Sequence, residues 1–172
     1  MVEPFRHQGN PKLVFGNGAI SGLTGLLEND SDILFVTGGH FARSAAWTAI
    51  EKQLAAAGVS FIRETVSGEP SPETVDGLVE AAGGRDIRTV VAIGGGSVLD
   101  AGKAAAAMLR HDGSVFDYLV GVGSRDPEGL TVPVIAVPTT AGTGSEATKN
   151  AVISRRGVGG FKKSLRHDAF IP

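Results

Sequence analysis

The chain has 172 residues and a formal charge of −2, which gives no basic surface for nucleic acid, and its aromatics do not alternate with cations as a single-strand binder requires. It holds no cysteine, which excludes disulfides, cysteine zinc sites and thiolate catalysis. No apolar run approaches a membrane span and "MVEPFRHQGNPK" lacks the apolar core of a secretory signal, so the expected location is cytoplasmic, with neither nucleic acid nor membrane as partner.

In chain order, "FRHQGNPKLVF" (5–15) predicts a short strand pair turning at Gly9–Asn10. "GNGAISGLTGLLEN" predicts a turn into a short helix with Leu23, Leu26 and Leu27 on one side. "DILFVTGG" reads as a buried strand with a glycine exit. "HFARSAAWTAIEKQLAAAG" has helical spacing, with Ala42, Ala46, Ala49, Ile50 and Leu54 sharing a face and Gly58 as the stop. "VSFIRETV" is a second strand. "SPETVDGLVEAAGG" opens a helix, Ser71 capping and Pro72 in the first turn. "RTVVAIGGG" is the strongest strand, "SVLDAGKAAAAMLRHDG" a helix ended by Gly113, and "VPVIAVPTT" a further strand followed by "AGTGSEATKNAVIS".

Apolar strands alternating with crossover helices predict an α/β fold: a parallel sheet with flanking helices. Such sheets bind ligands at the carboxyl ends of their strands. Three glycine-rich exits fall there, at Gly38–Gly39, Gly94–Gly96 and Gly142–Gly144. The chain holds 25 glycines, about twice the usual share, and they cluster at these exits rather than in a repeat.

Two phosphate motifs come near and fail. A P-loop needs Gly-Lys followed by Ser or Thr, but Gly102–Lys103 is followed by Ala104. "GTGSEA" fits Gly-x-Gly-x-x-Ala but follows the fourth strand, and no acid stands about 20 residues on to meet a ribose. The two loops together say more. Gly94, Gly95 and Gly96 allow close backbone approach, and Ser97 begins a helix whose free N–H groups and dipole favour phosphate. Thr139, Thr140, Thr143 and Ser145 add hydroxyl donors. Glycines alone would serve packing turns; the hydroxyls favour a pyrophosphate and its flanking groups. Asp100 and Lys103 are one turn apart, either a local helix pair or, for Asp100, a group that orients ligand or loop. Lys103 stands a turn and a half from the helix start, further from any ligand.

At "GGGSVLDAGKA" and "PVIAVPTTAGTGSEAT" the sequence resembles the iron-containing (group III) alcohol dehydrogenase family, and "NPKLVFGNGAI" resembles that family's N-terminal strand and turn. The resemblance covers essentially the whole chain. It implies a Rossmann-like, dehydroquinate synthase-like N-terminal domain over 1–172 that binds NAD or NADP. It also implies a helical C-terminal domain, absent here, that holds iron or zinc through one Asp and three His. Gly95, Gly96 and Ser97 would bind the pyrophosphate, with Asp100 beside them. Thr139, Thr140 and Thr143 would line the cofactor further along. Lys162, rather than Lys163, resembles the lysine near the nicotinamide. Many NAD-preferring members carry an aspartate where this chain has Gly38, so its absence resembles members that tolerate or prefer NADP, with Arg43 as the nearest arginine. Lys149 and Asn150 stand where many relatives are less polar.

None of His7, His40, His111 and His167 has ligand spacing to another. The resemblance thus implies the cofactor half of an enzyme interconverting an alcohol and an aldehyde or ketone, expected to be inactive as an isolated chain and to carry no catalytic residue or metal ligand. A maleylacetate reductase-like or glycerol dehydrogenase-like activity and a non-catalytic nucleotide-binding module are the alternatives. An exposed apolar surface, and a homodimer through it, are further expectations.

Overall fold

Two strands carry the longest uninterrupted apolar runs, and both lie in the middle of the sheet. The computed structural model describes residues 9–27 and 32–172. Strands β1 (Ile33–Gly38), β2 (Phe61–Val66), β3 (Thr89–Gly94) and β4 (Val134–Pro138) alternate with helices α1 (Ala45–Ala56), α2 (Pro72–Ala81) and α3 (Gly96–Met108). The strands pair in parallel in the order β2-β1-β3-β4. Ile33–Val36 of β1 and Val90–Ile93 of β3 are fully buried because helices cover both faces. Edge strand β2 exposes Arg63 and Thr65 instead. The chain leaves β1 toward β2 and leaves β3 toward β4, so the strand order reverses between β1 and β3. That reversal opens a crevice at their carboxyl ends.

On one face, α1 packs Trp47, Ile50 and Leu54 on Ile33, Phe35, Val91 and Ile93, with Leu23 and Leu27 closing the layer. Phe35 and Trp47 meet edge to face at 5.3 Å between ring centres. On the other face, α2 and α3 place Leu78, Val98, Ala101 and Ala105 on Leu34, Val36 and Val90. A hairpin of β5 (Asn150–Arg155) and β6 (Phe161–Arg166) packs Ile153 and Leu165 against Ala104, Ala107 and Met108 on the far side of α3. Helix α3 is thus covered by sheet, α2 and hairpin, which explains its alanines. A side chain added at Gly102 would lie 2.6 Å from the Ala92 Cβ, so glycine lets α3 rest directly on β3.

The α2 start is as expected. The Ser71 hydroxyl accepts the Thr74 N–H at 3.3 Å, Thr74 reciprocates as the second half of a capping box, and Pro72 occupies the first turn. Gly58 (φ +68°) follows α1, and Gly113 (φ +88°) lies beyond the turn that ends α3.

Four expectations change. Residues 9–15 form no strand, and Phe5–Gln8 lie outside the described residues. The Leu23–Leu27 segment forms two short 3-10 turns, Ala19–Gly22 and Thr24–Leu26, which bury Leu23 and Leu27 and expose Leu26. Helix α1 begins at Ala45, after a 3-10 turn at Phe41–Arg43, because Ser44 is extended (φ −84°, ψ 157°) and its hydroxyl accepts the Trp47 N–H. Its buried face is Trp47, Ile50 and Leu54; Ala46 and Ala49 are exposed, since the indole covers more apolar area than the alanines. Finally, the residues after the last glycine loop form the β5–β6 hairpin, which strand propensity alone did not single out.

Candidate functional site

The three glycine exits meet at the crevice between β1 and β3. A side chain added at Gly38 would lie 3.7 Å from Val98 Cγ2, so the end of β1 abuts the first turn of α3. Gly94 closes β3 and its carbonyl accepts the Thr139 N–H at 2.8 Å, drawing the two exit loops together. Gly95 is the N-cap of α3 and provides no side-chain acceptor, so the first N–H groups of the helix are left for an anion. A Cβ at Gly95 would sit 3.2 Å from Thr140 Oγ1, and one at Gly96 would sit 3.1 Å from Thr143 Cβ. The glycines are therefore required by loop-on-loop contact as well as by access. Ser97 lies half-buried beside them, while Thr139, Thr140 and Thr143 are exposed, the Thr143 oxygen accepting the Ser145 N–H at 3.5 Å.

The electrostatics of this wall come from beneath it. Asp100 Oδ1 accepts the Ser145 hydroxyl and lies 3.4 Å from Lys103 Nζ. Lys103 is 1% exposed. Its ammonium donates to the carbonyls of Ser145 (2.8 Å), Thr148 (3.2 Å) and Asn150. Burial pushes this ammonium below the ordinary lysine value, and the Asp100 carboxylate beside it opposes the shift. Asp100 thus both pairs with Lys103 within the helix and orients a loop hydroxyl. Sequence reasoning set Lys103 aside because it measured only the distance from the helix start. The available signal was a lone lysine inside an alanine run.

At the end of β1, Gly38 and Gly39 place no carboxylate. The Arg43 guanidinium lies 3.5 Å from where a Gly39 side chain would begin, and no acid among the described residues pairs with it. Lys162 stands apart from the loops, on β6, where it is exposed and donates to Glu69 at 2.8 Å. Lys163 projects from the opposite side of β6, near Gly121. Lys149 pairs with Asp168 and ties the end of the loop to the last turn of the chain.

Two histidines serve the backbone. The His111 ring bonds the Ala107 carbonyl and accepts the Glu128 N–H, and His167 accepts the Ala169 N–H. His40 is exposed, and His7 lies outside the described residues. No group of three or more His, Asp and Glu side chains converges among the described residues. An apolar groove of about 320 Å³ runs along β4 beside Leu13, Val14 and Phe15, all exposed, and reaches Glu146 of the second loop.

The family model of iron-containing alcohol dehydrogenases matches residues 10–172. The chain belongs to the iron-containing alcohol dehydrogenase family. Within this family it is 30% identical to the sulfoacetaldehyde reductase of Bilophila wadsworthia, over 92% of this chain and 41% of that one. Among solved structures it superposes on NADH-dependent butanol dehydrogenase A from Thermotoga maritima with a TM-score of 0.87 at 28% identity, covering 99% of this chain and 43% of that one. It superposes on the sulfoacetaldehyde reductase of Bifidobacterium kashiwanohense, solved with NAD+, at 0.85 and 29%, covering 99% and 45%. The chain spans about two fifths of the length of these iron-containing alcohol dehydrogenase relatives, and its four-stranded parallel sheet is the family's Rossmann-like N-terminal fold. No helix among the described residues is long and apolar enough to cross a membrane.

Proposed function

We propose that residues 1–172 are the NAD(P)-binding domain of a metal-dependent oxidoreductase that interconverts an alcohol and an aldehyde or ketone. The observation that carries this is the contact of Gly95 and Gly96 with Thr140 and Thr143 at the sheet's switch point. In this reading the uncapped start of α3 and the Gly95–Ser97 backbone hold the pyrophosphate by N–H donation and helix dipole. Thr139, Thr140 and Thr143 orient the groups on either side of it. The nicotinamide, when bound, supplies the hydride acceptor or donor. Lys162 is assigned to its side of the cleft by family resemblance, and reaching it requires the ion pair with Glu69 to open.

Gly38 leaves room and no repelling charge for a 2′-phosphate, and the Arg43 guanidinium lies close by, so NADP(H) is accepted at least as well as NAD(H). Iron or zinc does not fit the residues described, which assemble no ligand set. The proposal therefore gives the metal to a further helical domain, and the small alcohol or carbonyl substrate to the cleft between the two. The family's relatives named above lend no support to a maleylacetate reductase or glycerol dehydrogenase specialisation.

Titration calorimetry of the 172-residue chain with NADPH and NADH tests the reading. One saturable site per chain is expected, with NADPH no weaker than NADH. Absence of binding by either, with the chain folded, would sink it.

A further inference from the structure

We propose that Lys103 is the positioning residue of the cofactor loop: its buried ammonium gathers the inward carbonyls of that loop and thereby sets Thr140 and Thr143 against Gly95 and Gly96. The inference rests on the cofactor reading for its consequence in binding, but not for its effect on the loop itself.

Beyond the Thr139 N–H on the Gly94 carbonyl and the Asn10 amide on the Glu146 carbonyl (2.6 Å), the loop's ties come from Lys103 and Asp100 beneath it. From Thr139 to Thr143 every residue is exposed, Gly142 and Gly144 have φ of +104° and +69°, and nothing lies within 4 Å of a side chain built at either. Its one piece of regular structure is the 3-10 turn Ser145–Ala147. Ser145 is also its only buried residue, and that residue is held twice, by Lys103 through its carbonyl and by Asp100 through its hydroxyl. The chemistry of the anchor matches its partners. An ammonium has three protons, and three carbonyls, of Ser145, Thr148 and Asn150, lie around it, with the Asp100 carboxylate balancing the charge. Glu146 is the other acid close enough to favour the charged form.

A packing role alone does not explain a lysine here. The neighbouring positions Ala101, Ala104, Ala105, Ala106 and Ala107 are all fully buried alanines, and burying an ammonium among them is costly unless it is paired and hydrogen-bonded. An apolar side chain would fill the space and take the ammonium away from the Ser145 and Thr148 carbonyls of the loop and from the Asn150 carbonyl at the start of β5, so the loop would move to find water.

The absence of cysteine makes a sharp test available. Lys103→Cys introduces the only thiol. Alkylation in denaturant with 2-bromoethylamine, then refolding, rebuilds a charged side chain of lysine's length. Alkylation with 1-bromopropane builds an uncharged one of the same length. Hydrogen exchange at residues 140–150 is read without nucleotide, and NADPH affinity by titration. The expected result is at least tenfold faster loop exchange and at least tenfold weaker binding for the propyl form and for Lys103→Met. Exchange in β1 and β3 stays unchanged, and the aminoethyl form recovers both quantities. Equal recovery by the propyl form, or wild-type loop exchange in Lys103→Met, would overturn the proposal.

Ser145→Ala keeps the test open if the Lys103 variants do not fold. It leaves the ammonium in place but removes the Asp100 contact, and faster loop exchange is expected, with unaltered exchange counting against the proposal. If the wild-type chain binds neither nucleotide, the cofactor reading fails, while the exchange measurement still decides what Lys103 does.

Discussion

The two loops that face each other across the crevice are built in opposite ways. The first, Gly94–Ser97, is the direct continuation of a fully buried strand into a helix that is buried from Val98 onward except at Asp100, so its backbone is fixed at both ends. The second, Thr139–Thr148, leaves edge strand β4 and is exposed along most of its length, held by a few side-chain bonds from beneath. The difference teaches that a well-held glycine turn can come from secondary structure alone. A set of hydroxyls facing it has to be pinned by groups that belong to another element.

That comparison can be broken from its rigid side first. Gly102→Val forces a branched side chain into the 2.6 Å gap at Ala92 and lifts α3 from β3. A loss of about 3 kcal/mol or more is expected in urea unfolding, since neither backbone can give way. Gly96→Val acts between the loops, where Thr143 can move. NADPH affinity should fall about tenfold, which is about 1.4 kcal/mol, while the unfolding midpoint shifts little. Titration beside thermal melting would separate the two effects. A Gly96→Val chain that binds as well as wild type would show that the loops need not touch.

Ser71→Ala removes an N-cap on α2, remote from both loops. It should cost about 1 kcal/mol of stability and leave nucleotide binding unchanged. A drop in binding would mean that the loops respond to general loosening of the fold.

The smallest effect separates the tethers of the second region. Lys149 holds Asp168, and Lys162 holds Glu69, each below its ordinary carboxyl value. A lowered carboxyl pKa stabilises the fold fully above the ordinary value, 3.8 for Asp168 and 4.5 for Glu69, and the gain is lost as the pH falls through the lowered one. Both groups are exposed, so the effect is small. Acidification through this window should speed exchange at residues 147–150 before it affects β3. Glu69→Gln should flatten the part of the acid response that belongs to the hairpin.

Much of the rigid region was legible in the sequence. Ile33–Val36 and Val90–Ile93 are apolar without interruption because both their faces are covered, and Ser71–Pro72 marks a helix start by chemistry that acts locally. Other features depend on contacts between distant segments. Trp47 displaced the alanines from the buried face of α1 because of what β1 and β2 present to it. The β5–β6 hairpin was missed because Asn150–Arg155 alternates only weakly between buried and exposed. In the site, the residue types of both loops were legible, but their anchor was not. Lys103 is 42 positions from Ser145, and no local spacing announces that the later loop folds back beneath the earlier helix.

Trp47, the only tryptophan, is 2% exposed, and its indole N–H has no hydrogen-bond partner among the described residues. It sits in the first turn of α1, edge to face with Phe35 and Phe61, with the Arg63 guanidinium 4.8 Å above the ring. One chromophore in so dry a setting should emit toward the blue and shift red only when α1 leaves the sheet. Reduced nicotinamide absorbs where indole emits, so its arrival should dim that light without moving its colour. Unfolding and occupancy of the crevice can therefore be told apart in a single unlabelled cuvette.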